Sequence, residues 1–508
     1  MRGEVPMIVL IRSGALDGLT GYEVRVEVDA GRGLPSFQIV GLPNAAVRES
    51  RERVLSAMRN QGLARPSGRV VVNLAPADVR KEGAAVELAV ALGVGLQGAD
   101  RGAPPALDGA VVLGELSLSG RVQPVRGLLA MVMTLARAGH RRFVVPAGQA
   151  EEARLVPGVL VAGVRDLGAA WAWCTGRAAV PWREGGRPLP AAAGDVGAAP
   201  DLRTTPTHLV RLATVAAAGR HNLLLVGPPG VGKTRLCRAV AALQAPLDGD
   251  AALEVLRIHG ACRRTDGLPA RPARPFRAPH HTVTRAGLVG GGSGLRPGEI
   301  TLAHHGVLFL DEVNEFAPGV LEVLREPLEE GVLNVARGGG VRLWPARFQL
   351  LAAMNPCRCG WLGSPVRPCT CGPADVERHR RRVSGPLLDR CDLFAEVVDG
   401  GVGMADTSAD AGVDGAAVRA RVAEVRRRLA AAPDDDLTAA RRRLSADAAE
   451  RLDALRASLG LSVRSLLRCA RVARTVAALA DRDRVERADV NEALGWRRET
   501  VLDVAAGG

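Results

Sequence analysis

The sequence predicts an α/β multidomain chain: an amino-terminal α+β domain, a central α/β unit built on a parallel sheet, and an all-α carboxy-terminal unit. Three observations predict it. The apolar run Leu223-Leu224-Leu225-Val226 leads directly into Gly227-Pro228-Pro229-Gly230-Val231-Gly232-Lys233-Thr234, a glycine-rich turn of the kind that joins a buried strand to a helix. Two further apolar runs, Gly306-Val-Leu-Phe-Leu310 and Gln349-Leu-Leu-Ala-Ala-Met354, alternate with helical stretches, the pattern that builds a parallel sheet. Beyond a Gly/Asp-rich stretch, Val418, Val422, Val425 and Leu429 repeat at i, i+4, i+7 and i+11, one apolar stripe along a helix.

The amino-terminal region, 7–165, mixes both periods. Tyr22-Glu-Val-Arg-Val-Glu-Val28 alternates strictly, while 47–58 and 125–138 read as helices between short β-rich runs at 111–113 and 143–145. A linker is expected over 166–206, where 185–199 is rich in Gly, Pro and Ala without periodicity. The central unit is expected over 207–399, a second linker over 400–415, and helices over 416–508.

Composition narrows the function classes. A chain of 508 residues with 47% hydrophobic but 3% aromatic residues builds its cores from Ala, Val and Leu. A net charge of +13 favours a polyanionic partner such as nucleic acid, against the alternative of a generally arginine-rich proteome. The apolar run 7–11 is too short for a secretory signal, and no run reaches the length of a membrane span. The expectation is a soluble, cytoplasmic protein. Of 67 basic residues only two are lysines, Lys81 and Lys233. A lysine surviving such a bias marks a place where the wide arginine fork does not serve.

Lys233 lies in the pattern G-x-x-x-x-G-K-[ST], whose backbone N–H groups cradle the phosphates of ATP. Lys233 would reach the β/γ-phosphates, and the Thr234 hydroxyl would sit on Mg²⁺. Asp311 and Glu312 end a buried strand; the first would hold Mg²⁺ and the second would polarise the attacking water. Asn355 tips another buried strand, where it would orient that water or merely cap the strand end. Arg390, in Ser384-Gly-Pro-Leu-Leu-Asp-Arg390, would face a neighbouring subunit in a ring, and Arg464 follows the helix cap Ser462. Cys357, Cys359, Cys369 and Cys371 form C-x-C-x₉-C-x-C. Four thiolates would close a structural Zn²⁺ site, with Gly360 and Gly372 helping the backbone bend; the alternatives are redox or unliganded cysteines. Cys391 and Cys469 read as core residues. For nucleic acid, 332–344 reads as a glycine-tipped hairpin carrying Arg337 and Arg342. The stretch from Arg277 to Arg296, with His280 and His281, and the basic run Arg378-His-Arg-Arg-Arg382 are further candidates, each with a plain solvated face as its alternative.

These segments occur in an order that resembles a known family. The phosphate loop, Arg274-Pro-Phe-Arg-Ala-Pro-His-His281, Leu288-Val-Gly-Gly-Gly292, Arg296-Pro-Gly-Glu-Ile300, Leu308–Glu312, Leu324-Arg-Glu-Pro-Leu-Glu329, Pro345-Ala-Arg-Phe-Gln349, Met354-Asn-Pro-Cys357 and Ser384–Arg390 together resemble the magnesium-chelatase-like AAA+ ATPases called YifB or ComM. The resemblance implies an amino-terminal domain with the Lon-protease-like fold (ribosomal S5 domain 2 type), a central AAA+ module and a helical lid. It also implies a hexameric ring that drives branch migration of DNA in recombination or natural transformation. Arg390 is then the finger given to a neighbour's ATP, and Arg464 the second sensor. The segment 73–85 resembles the one that carries the Lon nucleophile, but Ala84 and Ala85 stand there; the segment of the partner lysine ends in Leu129. Without nucleophile and base the domain is expected to be proteolytically inactive. Lys81 would make a structural ion pair, an inter-subunit contact or a DNA contact. The rival reading is an AAA+ motor that remodels a protein partner, as the magnesium-chelatase ATPase subunit does; a third is a DNA-binding scaffold without hydrolysis.

Overall fold

The computed structural model describes residues 8–31, 33–41, 45–77, 83–99, 107, 109–189, 199–262, 272–292, 296–337, 340–398, 413–431, 436–459 and 462–497. They form two compact units. The first comprises Met1–Ala193 with Asp248–Pro272 and Gly291–Pro297; the second holds the remainder.

The first unit is built on an eight-stranded mixed sheet. Its strands are β1 (Val9–Asp17), β2 (Thr20–Gly31), β3 (Ser36–Val40), β4 (Arg69–Ala75), β5 (Ala110–Val112), β6 (Arg142–Pro146), β7 (Leu160–Val164) and β8 (Arg183–Glu184), in the order β8-β7-β6-β5-β1-β2-β4-β3. The alternation seen from Tyr22 to Val28 becomes the pleat of β2, with Val24, Val26 and Val28 fully buried. Between strands run α1 (Ala45–Asn60), α2 (Glu87–Gly98), α3 (Leu128–Arg137) and α4 (Leu167–Cys174). Helix α2 is buried along both faces, as a helix without a polar side must be. Its one acid, Glu87, is fully buried, bonded to Arg53 at 2.5 Å and to the Leu116 N–H at 2.8 Å. Burial pushes that carboxyl up from its ordinary pKa, against the pull of both bonds. Helix α4 starts where the Asp166 side chain accepts from the Ala169 N–H at 2.7 Å. It and β8 occupy the first part of the stretch 166–206 expected as a linker; residues 190–198 lie outside those described.

The second unit opens with α5 (Thr207–Gly219), β9 (Leu223–Val226) and α6 (Lys233–Leu243). Four more strands, β10 (Phe276–Arg277), β11 (Val307–Leu310), β14 (Gln349–Met354) and β15 (Leu393–Glu396), complete a five-stranded sheet. A separate antiparallel hairpin, β12 (Val332–Arg337) and β13 (Gly340–Pro345), lies between β11 and β14 in the chain. The sheet order is β10-β11-β14-β9-β15, and all four pairings are parallel. Every residue of β9, β11 and β14 is buried, each Leu or Val contributing about 1.5–3 kcal/mol relative to exposure. Because β9 is flanked by two strands that come later in the chain, its carboxyl end lies at a switch point of the sheet, the usual place for a ligand crevice in an open α/β sheet.

After a short helix α7 (Pro373–Arg380), the chain ends in α8 (Gly415–Ala431), α9 (Ala446–Leu459), α10 (Val463–Leu479) and α11 (Arg487–Gly495). The stripe expected in α8 faces inward: Val422 and Val425 are fully buried, with Val418 and Leu429 packed at the margin. Helix α10 begins at Ser462, whose hydroxyl accepts from the Ser465 N–H at 3.1 Å. These helices share one hydrophobic cluster with α5, α6 and the sheet. Its polar seam is His221, whose Nε2 lies 2.8 Å from the Thr475 hydroxyl on α10. Burial pushes that imidazole down to about 4, so it stays neutral near pH 7. Among the described residues, no helix is long and apolar enough to cross a membrane.

Candidate functional site

Three strand ends converge at the switch point. From β9 comes the phosphate loop, from β11 the pair Asp311 and Glu312, and from β14 the amide of Asn355. The loop starts at a position that admits only glycine, because a Cβ on Gly227 would stand 2.1 Å from the Val397 carbonyl oxygen. Lys233 heads α6 with its side chain folded back over the loop. Its ammonium donates to the carbonyls of Gly227 (2.6 Å) and Pro228 (2.7 Å) and to Asn355 Oδ1 (3.1 Å). Burial draws its pKa below the ordinary lysine value, opposed by the nearby Asp311 and Glu312.

Thr234 Oγ1 donates to Asp311 Oδ2 at 2.8 Å. Two oxygens bound side by side to one octahedral Mg²⁺ stand about 2.9 Å apart, given metal–oxygen bonds of about 2.0–2.1 Å. The hydroxyl and carboxylate therefore already have the spacing of adjacent magnesium ligands. The other oxygen, Asp311 Oδ1, accepts from the Glu312 N–H at 3.0 Å. Glu312 takes a left-handed backbone, φ 49°, a strained choice for a residue with a Cβ that recurs at functional sites. The turn leaves its carboxylate half-exposed and 3.9 Å from His281 Nδ1. His281 itself lies against His280 and the edge of Phe316. Sequence reasoning listed the two histidines within a nucleic-acid candidate stretch; nothing local showed that His281 adjoins Glu312.

Asn355 and Lys233 are linked to a second polar layer. His379 of α7 sits 3.2 Å from the Asn355 carbonyl and 2.9 Å from Asn314 Nδ2. The cysteine loop follows directly. Cys357, Cys359 and Cys369 place their sulfurs 3.4–3.6 Å apart, and all four sulfurs, Cys371 included, lie within 4.8 Å of one another. A tetrahedron of thiolates about 2.3 Å from Zn²⁺ has edges of about 3.8 Å, so the donor set fits that ion. Backbone donors at Thr370 and Trp361 hold the Cys359 thiol down to about 5, whereas Cys357, Cys369 and Cys371 are shifted up. Gly360 makes the turn with φ 85°, and a Cβ there would meet Pro229 Cδ at 2.9 Å. The cysteine loop is thus packed against the phosphate loop. Gly372 plays no such part: its φ of −71° is open to any residue, and it serves as the cap of α7.

Arg390 and Arg464 are placed elsewhere, and together. Arg390 is 7% exposed and donates to the Arg325 carbonyl at 3.2 Å and to that of Pro386. Both guanidiniums reach the same oxygen of Glu329, each at 2.6 Å. Neither is among the partners of Lys233, Thr234 or Asp311. Sequence reasoning singled out both arginines but not the acid between them. Two other quoted segments also meet, through the paired bonds of Arg277 to Glu299 at 2.6 and 2.7 Å.

The nucleic-acid candidates fare differently. Residues 332–337 and 340–345 pair as an antiparallel hairpin, with Arg342 opposite Val335 and exposed beside Val341 and Leu343. The tip 338–339 and the Arg337 side chain lie outside the described residues. The basic run is largely answered by acids: Arg378 pairs with Asp375, Arg381 with Glu377 and Arg382 with Glu315, which weakens its field. Cys391 and Cys469 are buried as expected. In the first unit Ala84 and Ala85 line a cavity of about 330 Å³ with Arg126 and Met131, and Leu129 is fully buried. Lys81 lies outside the described residues.

Comparison with known proteins covers most of the chain. Residues 204–402 match the family described as magnesium chelatase, subunit ChlI; 26–149 match subunit ChlI of Mg-chelatase; and 412–497 match its carboxy-terminal part. The uncharacterised protein YifB of Escherichia coli K12 is 35% identical over 497 residues, 96% of both chains. The competence protein ComM of Haemophilus influenzae is 34% identical over 502 residues, 96% of this chain and 97% of its own. An uncharacterised protein of Mycobacterium tuberculosis H37Rv is 44% identical over 392 residues, 76% of each chain.

Proposed function

Since this chain belongs to the YifB/ComM family of magnesium-chelatase-like ATPases, we propose that it is an ATP-driven motor that works on DNA as a ring, driving branch migration of joined strands. One observation carries the reading: a chain that gathers Lys233, Thr234, Asp311, Glu312 and Asn355 at one switch point holds Arg390 and Arg464 on a different carboxylate. The first set is a binding and hydrolysis half-site. The second is what a neighbouring copy would receive.

In this reading the loop N–H groups and Lys233 bind the β/γ-phosphates, Lys233 exchanging its carbonyl partners for phosphate oxygens. Thr234 and Asp311 would hold Mg²⁺, which would supply neutralisation of the phosphate charge. Glu312 takes the proton of the attacking water, while the Asn355 amide orients it. Arg390 of the adjoining copy offsets the charge developing on the γ-phosphoryl group, and Arg464 senses nucleotide from the lid. The Lon-like amino-terminal domain, the AAA+ core at 207–399 and the lid at 416–508 would form a cytoplasmic hexamer. The hairpin arginines Arg337 and Arg342 would track phosphates without reading bases. The competence role in the name of the Haemophilus relative supports DNA over a protein substrate.

The decisive experiment is migration of a synthetic four-way DNA junction with ATP, with Lys233→Ala alongside. Resolution by the wild-type protein and none by the variant is the expected result. ATP hydrolysis that neither moves the junction nor responds to any DNA would transfer the motor to a protein substrate.

The four cysteines would hold a structural Zn²⁺ that pins the loop beneath Pro229. Such sites contribute on the order of 10 kcal/mol to folding. One zinc per chain is expected by elemental analysis, with Cys369→Ser losing it and melting lower. A wild-type protein purified with no bound metal and unchanged in stability by a chelator would count against the site.

A further inference from the structure

We infer that Glu329 is a positioning residue that binds Arg390 and Arg464 into a single two-guanidinium unit, so that ATP turnover depends on the pair and helix α10 sets where Arg390 points. The inference rests on the proposed role of Arg390 toward a neighbour's nucleotide.

The geometry is specific. A single oxygen, Glu329 Oε1, accepts from Arg390 Nη2 and from Arg464 Nη1, both at 2.6 Å. Two guanidiniums brought this close repel each other, and a shared carboxylate is what makes their proximity favourable. The two partners differ in freedom. Arg390 is buried and tied by the carbonyls of Arg325 and Pro386. The Arg464 side chain is 60% exposed and sits in the first turn of α10. Glu329 is therefore the direct link from a lid helix to a guanidinium anchored in the ATPase core.

Neighbouring acids do not substitute for it. Glu322 is engaged by Arg325 and by the Ser384 hydroxyl, and Glu326 by Asn334. Glu329 itself is fixed near the end of a short helix, Arg325–Glu330, which Gly331 closes with a left-handed φ of 68° and a bond to the Pro327 carbonyl at 3.0 Å. A cavity of about 540 Å³, lined in part by Glu322, Glu326, Glu329, Glu330, Arg325 and Arg390, opens beside this cluster.

The test is steady-state ATP hydrolysis by Glu329→Gln, Arg464→Ala, their double variant and Arg390→Ala, each with nucleotide affinity, ring assembly and melting measured. Glu329→Gln is expected to lower kcat about tenfold with ATP affinity unchanged. Arg464→Ala is expected to cost nothing further in the Glu329→Gln background, the non-additivity of residues acting as a unit. A purely structural glutamate would instead show additive costs. Wild-type or raised kcat in Glu329→Gln, with Arg390→Ala impaired, overturns the inference and leaves the finger role standing. An unimpaired Arg390→Ala removes both. Should Glu329→Gln fail to fold, Glu329→Asp keeps the charge but shortens the reach, and wild-type kcat there equally overturns the inference.

Discussion

Arg390→Ala is expected to reduce kcat for ATP by about 10³–10⁵-fold, the range for an arginine offered to the transferring phosphoryl group, while nucleotide still binds. Binding should persist because Arg390 is not among the partners of Lys233, Thr234 or Asp311. The substitution leaves no orphaned charge, since Glu329 retains Arg464. It does open a cavity at a buried position, and Arg390→Lys is the control that fills the space without the planar fork. The sharper measurement mixes variants. Arg390→Ala subunits keep an intact phosphate loop, and Lys233→Ala subunits keep the arginine, so a mixture of two inactive proteins should regain turnover. A mixture as inactive as its components would mean that Arg390 serves its own chain or none.

Glu312→Gln is expected to lower hydrolysis by about 10²–10⁴-fold, the usual loss when a general base is removed, and to trap ATP on the protein. The amide keeps the shape of the side chain and can occupy the same strained turn at φ 49°. Lys233, Thr234 and Asp311 are untouched, and Asp311 cannot step in as base, because its two oxygens are engaged by Thr234 and by the Glu312 N–H. The trapped variant should bind junction DNA with ATP and fail to move it. Near wild-type hydrolysis would move the base elsewhere, and His281, 3.9 Å from Glu312, would be the next residue to replace.

The cluster proposed as a nucleotide half-site was legible because its parts are local words. A buried strand, a glycine-rich turn and a helix start occupy adjacent positions at 223–243, and the paired acids follow their own buried strand. The cysteine cluster was legible from spacing alone, while its seat on Pro229 was not, since it depends on a contact between Gly360 and a distant loop. The second glycine invoked for the bend, Gly372, was misassigned because a glycine beside a cysteine looks the same whether it makes a left-handed turn or caps a helix.

The sequence by itself determined the element pattern and the ordered motifs that place this chain in its family. Period-2 and helical patterns, the phosphate loop, Asp311-Glu312 and the ordered motifs are all properties of neighbouring residues, and short-range sterics and hydrophobic periodicity make them readable. Only the tertiary structure decided the partnerships: Glu329 between Arg390 and Arg464, His281 beside Glu312, and the helix Gly249–Cys262 packed with α3 in the first unit after the chain has already begun the second. Such pairs are far apart along the chain, and an exposed glutamate in a run of acids has no local signature of the arginine it will meet. Their formation rests on the folding of the sheet and the docking of the carboxy-terminal helices, which bring together charges that the linear order leaves unrelated.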